Sequence, residues 1–203
     1  MRTTRLEAFS DGVLAIIITI MVLNLQAPSK PYVSDLGGAV PGLVAYLLSF
    51  IYVGIYWSNH HHMFQLVRKV NGAILWANLG LLFFLSLVPF STQWMDRTTW
   101  THAYRDAPLP VTTYGVNLLA AAIAYYVLQR AIFHAEGPDG LLQQALGRDL
   151  KGKLSPVIYA VGIGGSFFSI WIGVAAYVVV ALVWLVPDRR AERFVNAHLV
   201  QQD

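Results

Sequence analysis

Chemistry-bearing side chains are few in this chain, and they gather at the edges of apolar runs. Arg5, Glu7 and Asp11 stand just before Gly12–Ser29, an 18-residue run without a charge, and Thr19 lies inside it. His60, His61 and His62 fall near the end of the next such run, Leu36–Val67. An Asp at the centre of a membrane helix costs roughly 2.5–3.5 kcal/mol and less near the interface, so Asp11 is expected to be paired rather than lipid-facing. The plainer alternative is that Asp11 is merely interfacial and Arg5 snorkels to the headgroups. The three histidines invite a metal site, but consecutive helical residues point about 100° apart and cannot converge on one ion from one chain. The sequence contains no cysteine, which removes thiolate metal sites, iron–sulfur ligation and a cysteine nucleophile. Neither a nucleotide-binding motif nor a nucleophile–base pair is visible, so the chain is not read as an enzyme and no cofactor is expected.

The elements that position these groups follow from composition. Hydrophobic residues make up 56% of the 203 and charged ones only 12%, against roughly 25% in a soluble domain. Further charge-free runs are Val70–Met95, Ala107–Gln129 and Leu154–Pro187. A membrane crossing needs about 20 apolar residues, so the first four runs each hold one. The last, at 34 residues, is too long for one crossing and carries Gly162, Gly164 and Gly165 as break points. With the N-terminus in the cytoplasm and six crossings, eleven Lys and Arg lie inside and only Lys30, Arg97 and Arg105 outside. Arg189, Arg190 and Arg193 then follow the last span and orient the chain or meet anionic lipid; nucleic acid is not expected as a partner. The expected architecture is an all-α integral membrane protein, one domain over residues 1–203, with spans near 5–26, 37–66, 71–95, 110–133, 152–168 and 170–187 and both termini cytoplasmic. A cleavable leader is the competing reading of the first segment, and Glu7, Asp11 and Asn24 sit badly in one.

Within the first span Thr4 and Glu7 fit a capping box, which would start the helix before Arg5. At 100° per residue Arg5, Phe9, Ile16, Ile20 and Leu23 fall on one stripe, with Thr19 about 60° to its side. Asp11 projects about 140° from Ile16, towards some other helix. By periodicity alone the stripe fits lipid or bundle packing as well as a pore.

Specific motifs narrow this. Arg5-x-x-x-Phe9-Ser10-Asp11-Gly12, Trp57-x-x-His60-x-x-x-Phe64, and Asn78-Leu79 with Ser86-Leu87-x-Pro89-Phe90-x-Thr92 together closely resemble the signature helices of the transmembrane protein 175 family of potassium channels. The resemblance is specific over roughly residues 5–95 and topological beyond. It implies a prokaryotic plasma-membrane channel with one six-helix unit, assembled as a homotetramer around a central pore lined by the first helix. Carried over by distance from the Phe-Ser-Asp motif, the hydrophobic constriction falls on Ile16, further narrow layers on Ile20 and Leu23, and a hydroxyl layer, a transient potassium site, on Thr19. Arg5, Phe9, Ser10, Asp11, His60 and Asn78 then belong to a structural network tying the first helix to the second and third. The family lacks a carbonyl filter, and this sequence has no T-V-G-Y-G segment. Four Ile16 side chains would force an ion to shed hydration that four Thr19 hydroxyls partly replace, so potassium, rubidium and caesium should pass better than sodium. A proton- or cation-coupled secondary transporter is the runner-up, favoured by Asp11 and His60 and disfavoured by the absence of evident repeats or Gly/Pro-broken helices near mid-membrane.

Overall fold

The computed structural model describes residues 3–28, 30–67, 70–99, 107–137, 140, 142 and 150–185. Its helices are α1 (Thr3–Leu23), the short α2 (Val33–Leu36), α3 (Val40–Gln65), α4 (Gly72–Ser86), α5 (Val88–Thr99), α6 (Pro108–Glu136), α7 (Leu150–Gly165) and α8 (Ile170–Leu185). Because α4 and α5 continue as one apolar stretch and α2 has only four residues, the longer helices group into six rods. Four are long and apolar enough to cross a membrane: Thr3–Leu23, Val40–Gln65, Gly72–Thr98 and Pro108–Glu136. The other two, α7 and α8, have 16 residues each. Their outer ends, Leu150 and Leu185, border residues outside the described ones. Arg68, Lys69, Arg148, Arg189, Arg190 and Arg193, on which the expected orientation rests, and residues 186–187 of the expected last span lie outside the described residues.

Local sequence explains the rod ends. Pro41 begins α3 and Pro108 and Pro110 begin α6, where a missing N–H costs nothing. Asn71 caps α4 by accepting from the Ile74 N–H at 2.9 Å. Gly137, at φ 75°, ends α6 in a conformation other residues rarely adopt. Thr3 is already helical, so Thr4 lies within the helix and does not serve as its cap. The glycines between the last two rods serve close packing. A methyl at Gly115 would overlap the Tyr177 hydroxyl, and one at Gly162 would stand 2.8 Å from both Ala176 Cβ and Tyr177 Cε1. Tyr177 is fully buried there and donates to Val111 O at 3.2 Å, while the Tyr52 hydroxyl donates to Tyr177 O. Small residues thus let α3, α6, α7 and α8 close around one tyrosine, as expected where no water drives helices together.

The third rod departs from the sequence reading, which saw no broken helix. It breaks at Leu87, because Pro89 has no N–H to continue the ladder. Asn117 of α6 mends the break: with its amide nitrogen donating to Phe84 O at 3.0 Å, its oxygen accepts from the Val88 N–H at 3.3 Å. A buried chain of hydroxyls lies alongside. Thr92 gives its proton to Val88 O at 2.7 Å, so it accepts from Ser49 at 2.7 Å, and Ser49 accepts from Tyr114 at 3.0 Å. Asn117→Leu would leave the Val88 N–H at the break without a partner, while Phe84 O would keep only the Leu87 N–H at 3.2 Å. It should lower stability by about 1–3 kcal/mol, read as a drop in the thermal midpoint in detergent. An unchanged midpoint would show that the amide does not bridge the break.

Candidate ion pathway on the first helix

Two faces of α1 have opposite fates. Leu6, Ser10, Leu14, Ile17 and Met21, spaced by four or three, are buried against α3, α4 and α5. The opposite stripe is open: Ile16 is 60% exposed, Ile20 44% and Leu23 75%, and Phe9, Thr19 and Arg5 are exposed with them. The stripe drawn on the helical wheel is therefore the side of α1 that the rest of the chain leaves uncovered.

Thr19 is the one hydroxyl among the open apolar side chains from Ile16 to Leu23. Its Oγ1 donates to Ala15 O at 2.8 Å, one turn back. That bond fixes the rotamer and directs the proton into the helix, leaving the oxygen lone pairs to face outward. An outward lone pair in an apolar setting suits a partly dehydrated cation.

On the buried face the polar residues form a chain with a defined direction. Ser10 donates to Leu6 O at 2.9 Å, and Asn78 Nδ2 donates to Ser10 Oγ at 2.9 Å. The Asn78 oxygen then accepts from His60 Nε2 at 2.8 Å, which makes Nε2 the protonated ring nitrogen. Nδ1 of His60 is left buried without a partner among the described residues, and the ring packs on Phe64 with centroids 4.4 Å apart. Ser10, His60 and Asn78, from α1, α3 and α4, are thus brought together. Arg5 and Phe9 are not: both lie on the exposed side. Asp11 is held separately, accepting from Trp57 Nε1 at 3.1 Å.

One contact was missed from sequence. His61 Nδ1 lies 2.6 Å from Glu7 Oε1, so Glu7 reaches across to α3 rather than capping its own helix. His61 is also stacked on Trp57, with 14° between the rings, and its Nε2 lies 2.9 Å from Gln65 Nε2. It is therefore not a passive interfacial histidine. The readable signal was register: Glu7 and Asp11 are four apart on α1, Trp57 and His61 four apart on α3, and antiparallel helices bring such pairs opposite each other. The two rungs fasten the end of α1 where the open stripe begins.

Fold and stripe together define a multi-pass helical membrane protein whose first helix is pinned on one face and unoccupied on the other. The sequence model described as "Endosomal/lysosomal potassium channel TMEM175" matches residues 5–89. A potassium channel of Chryseobacterium sp. (strain P1-3) is 51% identical over 189 residues, 93% of this chain and 95% of that one. A potassium channel of Chamaesiphon minutus is 32% identical over 192 residues, covering 89% of this chain and 92% of that one. The crystal structure of a lysosomal potassium-selective channel TMEM175 homolog from Chamaesiphon minutus superposes with a TM-score of 0.73 at 31% identity, covering 90% of this chain and 95% of that chain. The human protein named endosomal/lysosomal proton channel TMEM175 is 35% identical over 101 residues, 44% of this chain and 20% of that one. The chain belongs to the TMEM175 family, a family of ion channels and not of enzymes.

Asn78 joins three helices, so its replacement tests the network directly. Asn78→Leu should lower stability by about 1–2 kcal/mol, because it leaves the Ser10 oxygen and His60 Nε2 without partners. Ser10→Ala should cost less, since it strands one buried group, the Asn78 amide donor, instead of two. Thermal unfolding in detergent would rank the two, and equal midpoints would remove Asn78 as the hub.

Proposed function

We propose that this protein is a passive potassium-permeable cation channel in which four copies surround a central pore lined by α1. The reading is carried by one observation: α1 leaves Ile16, Thr19, Ile20 and Leu23 uncovered while its other face is riveted into the subunit. Its similarity over nearly its full length to bacterial proteins named potassium channels supports the same conclusion.

In this arrangement four Ile16 side chains form a ring that excludes bulk water, and Ile20 and Leu23 form further narrow layers. An ion must shed water to pass, and the Thr19 lone pairs replace part of it. Potassium, rubidium and caesium, which hold water less tightly than sodium, are favoured. The selectivity is modest, since a hydroxyl layer coordinates less completely than stacked carbonyls. Ser10, Asn78, His60, Asp11 and Glu7 stay out of the ion path and hold α1 in place. The channel sits in the plasma membrane of a prokaryote with both termini in the cytoplasm, driven by the electrochemical gradient without a cofactor.

A coupled carrier remains the second reading, because the third rod is broken at Leu87 within its apolar stretch, a feature common in carriers. Currents of purified protein in planar bilayers decide between them. A channel shows unitary events, whereas a carrier shows saturating tracer uptake without them. Under bi-ionic potassium and sodium, Thr19→Ala should lower the permeability ratio several-fold and Ile16→Asn should raise unitary conductance. An unchanged reversal potential in Thr19→Ala would remove the hydroxyl layer, and a monodisperse dimer in mild detergent would remove the central pore.

A further inference from the structure

A cleft runs between α3, α6, α7 and the end of α8, away from the open stripe of α1. It is partly open to the outside and is lined by residues of all four helices. Aromatic side chains make up half of its lining residues. Tyr56 and Tyr125 meet edge to face with centroids 6.0 Å apart, Tyr52 and Tyr159 are tilted at 6.4 Å, and Trp184 is fixed by donating to Ser155 Oγ at 2.7 Å.

Two polar side chains in this wall have no partner. Gln129 is 5% exposed and Tyr56 9%, both line the cleft, and among the described residues neither the Gln129 amide nor the Tyr56 hydroxyl makes a hydrogen bond. Neither group is a fully enclosed atom, so both open onto the cleft, where a donor facing hydrocarbon without an acceptor is costly. Their common need is an acceptor that enters an apolar cleft.

Position narrows the chemistry of that acceptor. Gln129 lies seven residues before the end of α6, about 10 Å from the middle of a helix of this length at 1.5 Å per residue. The ester groups of phospholipids lie at the edge of the hydrocarbon core, about 15 Å from the midplane of a ~30 Å layer. The cleft edge carries Tyr126, which is 55% exposed, and Ile123, Val127 and Leu154 beside it are exposed apolar side chains that continue onto a bilayer-compatible surface. Arg130, the residue after Gln129, is exposed and positively charged at the same level. We propose that this cleft holds one acyl chain of an anionic phospholipid, with an ester carbonyl accepting from Tyr56 Oη and Gln129 Nε2 and the headgroup phosphate facing Arg130.

Native mass spectrometry of the full chain, titrated in detergent with dioleoyl phosphatidylglycerol or dioleoyl phosphatidylcholine, tests this without requiring ion conduction. Wild type should retain about one phosphatidylglycerol per chain after loosely held lipid is stripped, and less phosphatidylcholine. Tyr56→Phe combined with Gln129→Leu should reduce that retention several-fold. Arg130→Gln should bring phosphatidylglycerol down to the phosphatidylcholine level. Thermal midpoints separate binding from misfolding. The double variant removes unpaired donors, so its midpoint in lipid-free detergent should equal or exceed wild type while the rise on adding phosphatidylglycerol is lost. Retention and lipid-induced shift equal to wild type in the double variant would mean annular lipid only, and a cleft that holds water or detergent in preference to either lipid would also overturn the proposal.

Discussion

Everything in this molecule answers to one constraint: a polar group inside a bilayer has no water to fall back on, so it must be satisfied by protein or it works against the fold. Helices meet that constraint for the backbone, except where Pro89 interrupts α5 after the break at Leu87. There a side chain from another helix, Asn117, supplies both a donor and an acceptor. The same economy recurs in the side chains. Ser10, Asn78 and His60 satisfy one another across three helices, Tyr114, Ser49 and Thr92 across three more segments, and Thr112 meets Ser166 at 2.7 Å between α6 and the turn after α7. Because apolar contact between helices gains little over contact with lipid, these few directional bonds and the close approaches at Gly115 and Gly162 decide which faces meet.

The first helix shows what this does for function. Its buried side carries a serine aimed at Asn78, while Asp11 and Glu7 reach Trp57 and His61 from the flank. Each bond has a defined direction, so rotation of α1 would break several at once. That fixes the azimuth of the helix and with it the direction in which Ile16 and Thr19 face. A helix held only by apolar packing in lipid could turn at little cost, and a constriction made of such helices would have no fixed width. In the proposed pore the polar network would act on ions indirectly, by setting the position of Ile16 and Thr19.

How much of this was legible in the sequence follows from the kind of signal each feature leaves. Charge-free runs and the placement of Lys and Arg mark six rods, because span length and loop charge are set by the bilayer itself. The two faces of α1 are legible because a helix has a fixed period. The break at Leu87 was missed although Pro89 was in view, since a proline inside an apolar run reads as a tolerated kink until its rescuing partner is known, and Asn117 lies 28 residues further along the chain. The Glu7–His61 contact was missed because Glu7 also fitted a cap, and local and long-range partners for one carboxylate cannot be ranked without knowing which helices touch. Phe9 was assigned both to the stripe and to the network; only packing shows that it lies on the open side.

The distribution of unsatisfied groups carries the argument further. His60 Nδ1 is unpaired but enclosed within the network, whereas an unpaired polar atom that opens outward marks a place where something outside the chain can complete the structure. On α1 the open feature is Thr19, whose proton is committed to Ala15 O and whose lone pairs are not, which is the sign expected of a surface that meets cations. At the tyrosine-lined cleft the open features are donors, Gln129 and Tyr56, the sign expected of a surface that meets a carbonyl or phosphate-bearing molecule. The two sites are thus opposite in hydrogen-bond polarity and lie on different sides of the bundle. A transient, partly hydrated cation suits the first, where no charge holds the ion and it can leave again. A resident amphiphile suits the second, where aromatic walls favour a long stay and α3, α6, α7 and α8 converge around the ring of Tyr177.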